Sequence, residues 1–84
     1  MPSRVTLYSN PGCHLCEAVA ETIARVRRMH PFDFEKRNIK DNPDDQERYW
    51  KSIPVVCVNG REIARHRMSD ATLIVALQAA TPDV

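Results

Sequence analysis

Apolar positions change period several times along the chain, and each change marks an element. The run Arg4-Val5-Thr6-Leu7-Tyr8-Ser9 reads as a short strand, broken by Asn10-Pro11-Gly12. A helical pattern then opens at Cys13. Leu15, Val19, Ile23 and Val26 recur at spacings of four, four and three, forming one apolar stripe. Glu17, Glu21, Arg25 and Arg28 line the opposite side, with Glu21 and Arg25 spaced as an i,i+4 ion pair, and Pro31 stops the helix. Strict alternation resumes at Phe32-Asp33-Phe34 and runs through charged residues to Ile39, the pattern of a half-buried strand near a sheet edge.

Asn42 has the character of an N-cap, with Pro43 at the first helical position and Asp44 and Asp45 in the first turn of a short helix reaching about Trp50. Ser52-Ile53-Pro54 leads into Val55-Val56-Cys57-Val58, a β-branched run suited to a buried strand. Asn59-Gly60 predicts a two-residue hairpin turn, because both central positions of a type I′ turn need positive φ. The returning strand spans Arg61 to Arg65. Ser69 then caps a last helix with Asp70 in its first turn and Met68 and Leu73 as a hydrophobic staple. Leu73, Ile74, Leu77 and Ala80 give its buried face, and Thr81-Pro82 ends it. The order is β-α-β-α-β-β-α. A helix between the first two strands demands a parallel right-handed crossover, and the tight turn demands an antiparallel pair. The expected class is α/β, a four-stranded mixed sheet with three helices covering both faces.

The 84 residues make one small domain, 1–84, with a net charge of +1. So balanced a charge argues against a nucleic-acid or anionic-membrane partner recruited by bulk electrostatics. Three cysteines are too few for a secreted disulfide framework. Met1-Pro2-Ser3-Arg4 runs straight into the first strand without room for a signal peptide, and no apolar run approaches membrane-spanning length. The expected compartment is a reducing cytoplasm, where paired cysteines are redox-active or metal-binding rather than structural.

Such a pair is present in Cys13-His14-Leu15-Cys16. Its place at a strand-to-helix junction puts the first sulfur at a helix N-terminus, where unpaired N–H groups and the helix dipole favour a thiolate. The second sulfur lies one turn later on the same face. A zinc site is the rival reading, but it needs four ligands, and Cys57, His14, His30 and His66 show no paired spacing.

The stretches Leu7-Tyr8-Ser9-Asn10-Pro11-Gly12-Cys13-His14-Leu15-Cys16, Ile53-Pro54-Val55-Val56, Asn59-Gly60 and Ser69-Asp70 together make the chain similar to a glutaredoxin-like protein of the thioredoxin fold, over about Val5 to Ala80. The resemblance implies a nucleophile at Cys13, a resolving thiol at Cys16, and a cis peptide bond between Ile53 and Pro54. That proline would face the Cys13–Cys16 disulfide and present the backbone of Ile53 to an extended substrate. It thus implies a dithiol thiol–disulfide oxidoreductase with no bound cofactor, glutathione as co-substrate, and a disulfide-containing protein or glutathione mixed disulfide as partner, reset by a reductase. Nothing calls for more than a monomer. His14, when protonated, would further favour the Cys13 thiolate.

Two departures stand out. Glutathione-using members usually carry a lysine where this chain has Asn10, and a Gly-Gly motif where it has Ala64-Arg65-His66-Arg67-Met68-Ser69-Asp70. The latter layout is closer to redoxins that serve ribonucleotide reductase and are reduced by thioredoxin reductase. Ser69 and Asp70 would still cap the amino-acid moiety of glutathione. Two alternatives stay open: an iron–sulfur cluster bridged through Cys13 between two chains, and a non-catalytic thioredoxin-fold module that docks a protein or holds a metal. Of the remaining residues, Cys57, Tyr8 and Trp50 are expected in core packing, and His30 is expected as a cation at a helix C-terminus. Arg61, Arg65, His66 and Arg67 are either a docking patch for a carboxylate or acidic protein, or a solvated edge.

Overall fold

A computed structural model describes residues 3–80; the expected helix stop at Thr81-Pro82 and the leading Met1-Pro2 lie outside the described residues. The elements run β1 (Arg4–Ser9), α1 (His14–Met29), β2 (Asp33–Asn38), α2 (Pro43–Tyr49), β3 (Val55–Val58), β4 (Arg61–Arg65) and α3 (Asp70–Ala80). They form one sheet in the order β2-β1-β3-β4. β1 and β2 are parallel, while β3 is antiparallel to both β1 and β4. This is the expected mixed sheet. Asn59 and Gly60 turn the hairpin with φ of 52° and 84°, as a type I′ turn requires.

Alternation along the strands divides the interior in two. Val5, Leu7, Val56 and Val58 pack with Val19, Ile23 and Val26 of α1 and Leu73 and Leu77 of α3, so both long helices lie on one face. Met68 joins this core with Leu73, as a staple would. On the other face Val55 and Cys57 pack with Ile39 and Tyr49, and Tyr8 and Ile53 close over them. Asn42 caps α2, its side-chain oxygen accepting from the N–H of Asp44 at 2.9 Å.

Several details differ from the expected ones. Leu15 is 44% exposed, and the buried side of α1 is Cys16, Val19, Thr22, Ile23 and Val26. Leu15 has the right azimuth but sits in the first turn, where side chains lean back toward the helix N-terminus and away from the core. Arg25 binds Asp70 of α3, not its helical neighbour Glu21. Trp50 is 59% exposed, because Tyr49, one residue earlier, fills the inward position against Tyr8 with ring centroids 4.5 Å apart. The second strand stops at Asn38, whose side chain accepts from Lys40 N–H and turns Ile39–Asp41 into one turn of 3-10 helix. Val56 pairs with Ala64 but Cys57 with Glu62, so Ile63 bulges from β4.

Candidate active site

β1 ends and α1 begins at one edge of the sheet, and the loop between them carries the first cysteine. Gly12, at φ 79°, makes the sharp turn into the helix. Cys13 is the N-cap of α1, with an extended backbone, and its sulfur accepts the N–H of Cys16 at 3.2 Å. A thiol in this place meets the unpaired N–H groups of the first helical turn. Cys13 is partly exposed, whereas Cys16 is 3% exposed. Burial pushes the Cys16 thiol up to about 11; its hydrogen bond to Cys13 and the proximity of that sulfur add to the rise, while the Asn10 backbone and the Lys36 charge oppose it.

A cavity of about 380 Å³ adjoins both sulfurs, lined also by Ser9, Asn10, Glu17, Lys36, Asn38 and Asp41. Lys36 is the residue the sequence reading missed. The resemblance implies a lysine in the loop where this chain has Asn10, and a lysine reaches the same cavity from β2 instead. No local signal marks it: the parallel register, with Lys36 opposite Leu7 two residues before the end of β1, is what brings it there. Its charge is not unopposed, for Glu17 and Asp41 share the walls.

Strand pairing brings the other expected residues to this edge. Tyr8 lies opposite Val55, and Val55 opposite Arg65. One step further, the N–H of His66 donates to the Pro54 carbonyl at 2.7 Å. The Ile53–Pro54 peptide is cis. Pro54 is buried and Ile53 half-buried. His14 is not part of the cavity wall; its side chain is 97% exposed, with Nδ1 3.8 Å from Glu17.

Ser69 and Asp70 are engaged within the fold. Ser69 Oγ accepts the N–H of Thr72 at 3.2 Å and so caps α3, while Arg25 donates to both carboxylate oxygens of Asp70. Cys57 is buried in the second core, and burial raises its thiol. The basic cluster is split. Arg61 is at the hairpin end of β4, and Arg65 at the other end is bonded by Glu62. His30 lies beyond the C-terminus of α1, exposed, its N–H on the Val26 carbonyl. Among the described residues no three of the His, Cys, Asp and Glu side chains converge to hold a metal ion, and no helix is long and apolar enough to cross a membrane.

Sheet order, helix placement and a cysteine pair at the head of α1 together define a thioredoxin-like fold. Solved structures agree. Protein Ne2328 from Nitrosomonas europaea superposes with a TM-score of 0.80 at 23% identity, covering 92% of this chain and 93% of its own. Protein XcR50 from X. campestris gives 0.77 at 29%, covering 92% and 99%. A mutant thioredoxin from Halobacterium salinarum gives 0.74 at 11%, covering 99% and 78%. No curated protein matches the chain significantly. The profile of the glutaredoxin-like domain (DUF836) matches residues 4–78, and the chain belongs to that family.

Proposed function

We propose that this chain is a dithiol thiol–disulfide oxidoreductase in which Cys13 attacks and Cys16 resolves. The observation that carries this reading is the Cys13 sulfur at the helix N-cap, accepting the N–H of Cys16 at 3.2 Å. In the reaction the Cys13 thiolate attacks one sulfur of a substrate disulfide. A Cys13–substrate disulfide forms, and the other substrate sulfur leaves as a thiolate. Cys16 then loses its proton and attacks the Cys13 sulfur, expelling the second substrate thiolate. Two electrons pass to the substrate, and the protein is left with a Cys13–Cys16 disulfide.

The raised Cys16 thiol fits this order. Two of the influences that raise it come from Cys13, through the hydrogen bond and the like charge. Both weaken once Cys13 is bonded to substrate, while the Asn10 backbone and Lys36 still favour the Cys16 thiolate. Cys16 therefore ionises more easily when the mixed disulfide needs resolving.

The reductant that resets the pair is a dithiol donor, with a flavin-dependent reductase of the thioredoxin reductase class preferred over glutathione. Capture of glutathione through Asp70 requires opening the Arg25–Asp70 pair, whereas a protein segment laid along Ile53–Pro54 needs no such opening. A reducing cytoplasm, where the pair is restored after each cycle, is the compartment proposed. The test is NADPH consumption with a protein disulfide, with Cys13→Ser as control, in one arm using thioredoxin reductase and in the other glutathione with its reductase. Cys13-dependent turnover in the first arm is expected. Turnover only in the second overturns the choice of donor, and silence in both leaves the binding-module reading.

A further inference from the structure

The bend after β4 places a residue with a side chain where glycine would cost less. The N–H of Arg67 donates to the carbonyl of Arg65 at 2.8 Å, and His66 between them has a φ of 70°. That is a γ-turn of the positive-φ kind, which is rare and strained for a residue with a side chain. The His66 N–H is committed to the Pro54 carbonyl, so the residue is held from both sides. Glycine would make the same two hydrogen bonds with ease. The imidazole contributes nothing to them; it is exposed.

Charges around the bend are unevenly satisfied. Glu62 neutralises Arg65 with contacts of 2.6 and 2.9 Å, and Arg25 neutralises Asp70. Arg61 is four residues away along β4, roughly 13 Å. Arg67 is exposed and, among the described residues, has no carboxylate within 4.0 Å. Among the described residues the bend therefore carries an exposed guanidinium with no carboxylate partner, one position from an exposed imidazole, which offers a ring N–H in either protonation state. The cavity that Cys13 and Cys16 line carries Glu17, Asp41 and Lys36, and neither His66 nor Arg67 is in its wall.

Resting on the oxidoreductase reading above, we infer that His66 and Arg67 receive an acidic side chain flanking the disulfide of a protein substrate. Pro54 directly precedes Val55, which pairs with Tyr8, and its carbonyl takes the His66 N–H, with neighbouring strands about 4.8 Å apart. A substrate chain extended along Ile53–Pro54 has the Cys13 loop on one flank and His66–Arg67 on the other. The cavity beside Cys13 sets two carboxylates, Glu17 and Asp41, against one cation, Lys36, so it favours an acidic residue less than the His66–Arg67 side does.

The test uses the full chain, reduced, and two synthetic peptides with one internal disulfide of identical loop sequence, flanked by glutamates or by lysines. The second-order rate of oxidation of the protein is followed by quenched mass analysis, with Cys13→Ser as the silent control. The glutamate peptide is expected to react about 3- to 10-fold faster at low salt, a ratio that shrinks in 0.5 M salt and in Arg67→Gln. His66→Gly is expected to raise the melting temperature and yet lower the ratio, a combination that a purely structural role for His66 does not give. His66→Asn, which also tolerates positive φ, is expected to lower the ratio in the same way. Equal rates for the two peptides, or a ratio unmoved by Arg67→Gln and His66→Gly, overturn the inference while the oxidoreductase reading stands. No reaction with either peptide, from a protein that melts cooperatively, sinks the oxidoreductase reading and this inference with it.

Discussion

Arg25 of α1 grips Asp70 of α3 with two parallel hydrogen bonds, Nε to Oδ2 at 2.9 Å and Nη2 to Oδ1 at 2.8 Å. The pair ties the middle of one helix to the first turn of another, on the face that both share. It also takes the carboxylate that sequence comparison alone assigns to a substrate. The hydrogen bonds from Arg25 hold the Asp70 carboxyl below its usual value. Its stabilising effect is therefore complete above about pH 4 and disappears as pH falls through the lowered value. Asp70→Asn is expected to lower the melting temperature by a few degrees at neutral pH and to flatten the decline seen in acid. Half-exposed as the pair is, 1 M salt is expected to narrow the gap between variant and wild type. An unchanged acid profile in Asp70→Asn would show that the pair does not contribute.

What the sequence made legible was mostly local. The type I′ turn at Asn59-Gly60, the Asn42 cap and the Val55–Val58 strand each depend on residues a few positions apart, and all appear in the structure. The junction that sets Cys13 on a helix end is equally local. Contacts that depend on register or on packing between elements were not readable. Lys36 enters the thiol cavity because β2 runs parallel to β1 in one register, and Arg25 finds Asp70 across 45 positions. The left-handed backbone of His66 is imposed by its bond to Pro54 and by the turn around it; histidine itself gives no sign of it.

Burial separates the three thiols into one available and two withheld. With Cys16 pushed up to about 11, roughly one molecule in a thousand carries its thiolate at pH 8. Cys57 is raised too, by burial first and then by the charge of Glu62. Iodoacetamide at about pH 8 is expected to modify Cys13 first, with the other two slower by at least about tenfold. Peptide mapping after a timed quench reads the order. Cys16 modified as fast as Cys13 in the native protein would contradict the buried, hydrogen-bonded thiol.

Alkali should act on stability through the same groups. Burial is the largest influence raising Tyr8, Cys16 and Cys57. A raised acid contributes fully below its unfolded value and loses that contribution as pH climbs toward the folded one. For Cys16 the loss falls between about pH 9 and 11. It amounts to something on the order of 2 kcal/mol, a large part of the stability of a domain this size. Urea melts at about pH 7.5 and 10.5 are expected to show this drop in wild type and a smaller one in Cys16→Ala. Equal drops in the two proteins would move the origin of the effect away from Cys16.

Leu15 and Ile23 lie on one apolar stripe in the sequence, yet the fold treats them differently. Ile23 is 1% exposed between the sheet and α3, whereas Leu15 is half in solvent beside the cysteine pair. Ile23→Ala removes buried methyl groups and leaves a space that rigid neighbours fill only in part, a loss of about 2–5 kcal/mol. For an 84-residue chain that loss is enough to unfold a sizeable fraction of the molecules. Leu15→Ala is expected to stay within about 0.5 kcal/mol, since no packed layer surrounds it. Chemical denaturation of both variants checks the contrast. Rates with a protein disulfide add a second reading, because Leu15 stands between Cys13 and Cys16, where substrate must approach. A stable Leu15→Ala protein with slower disulfide exchange would place the exposed side chain in the substrate's path. A variant that is strongly destabilised would return Leu15 to the core.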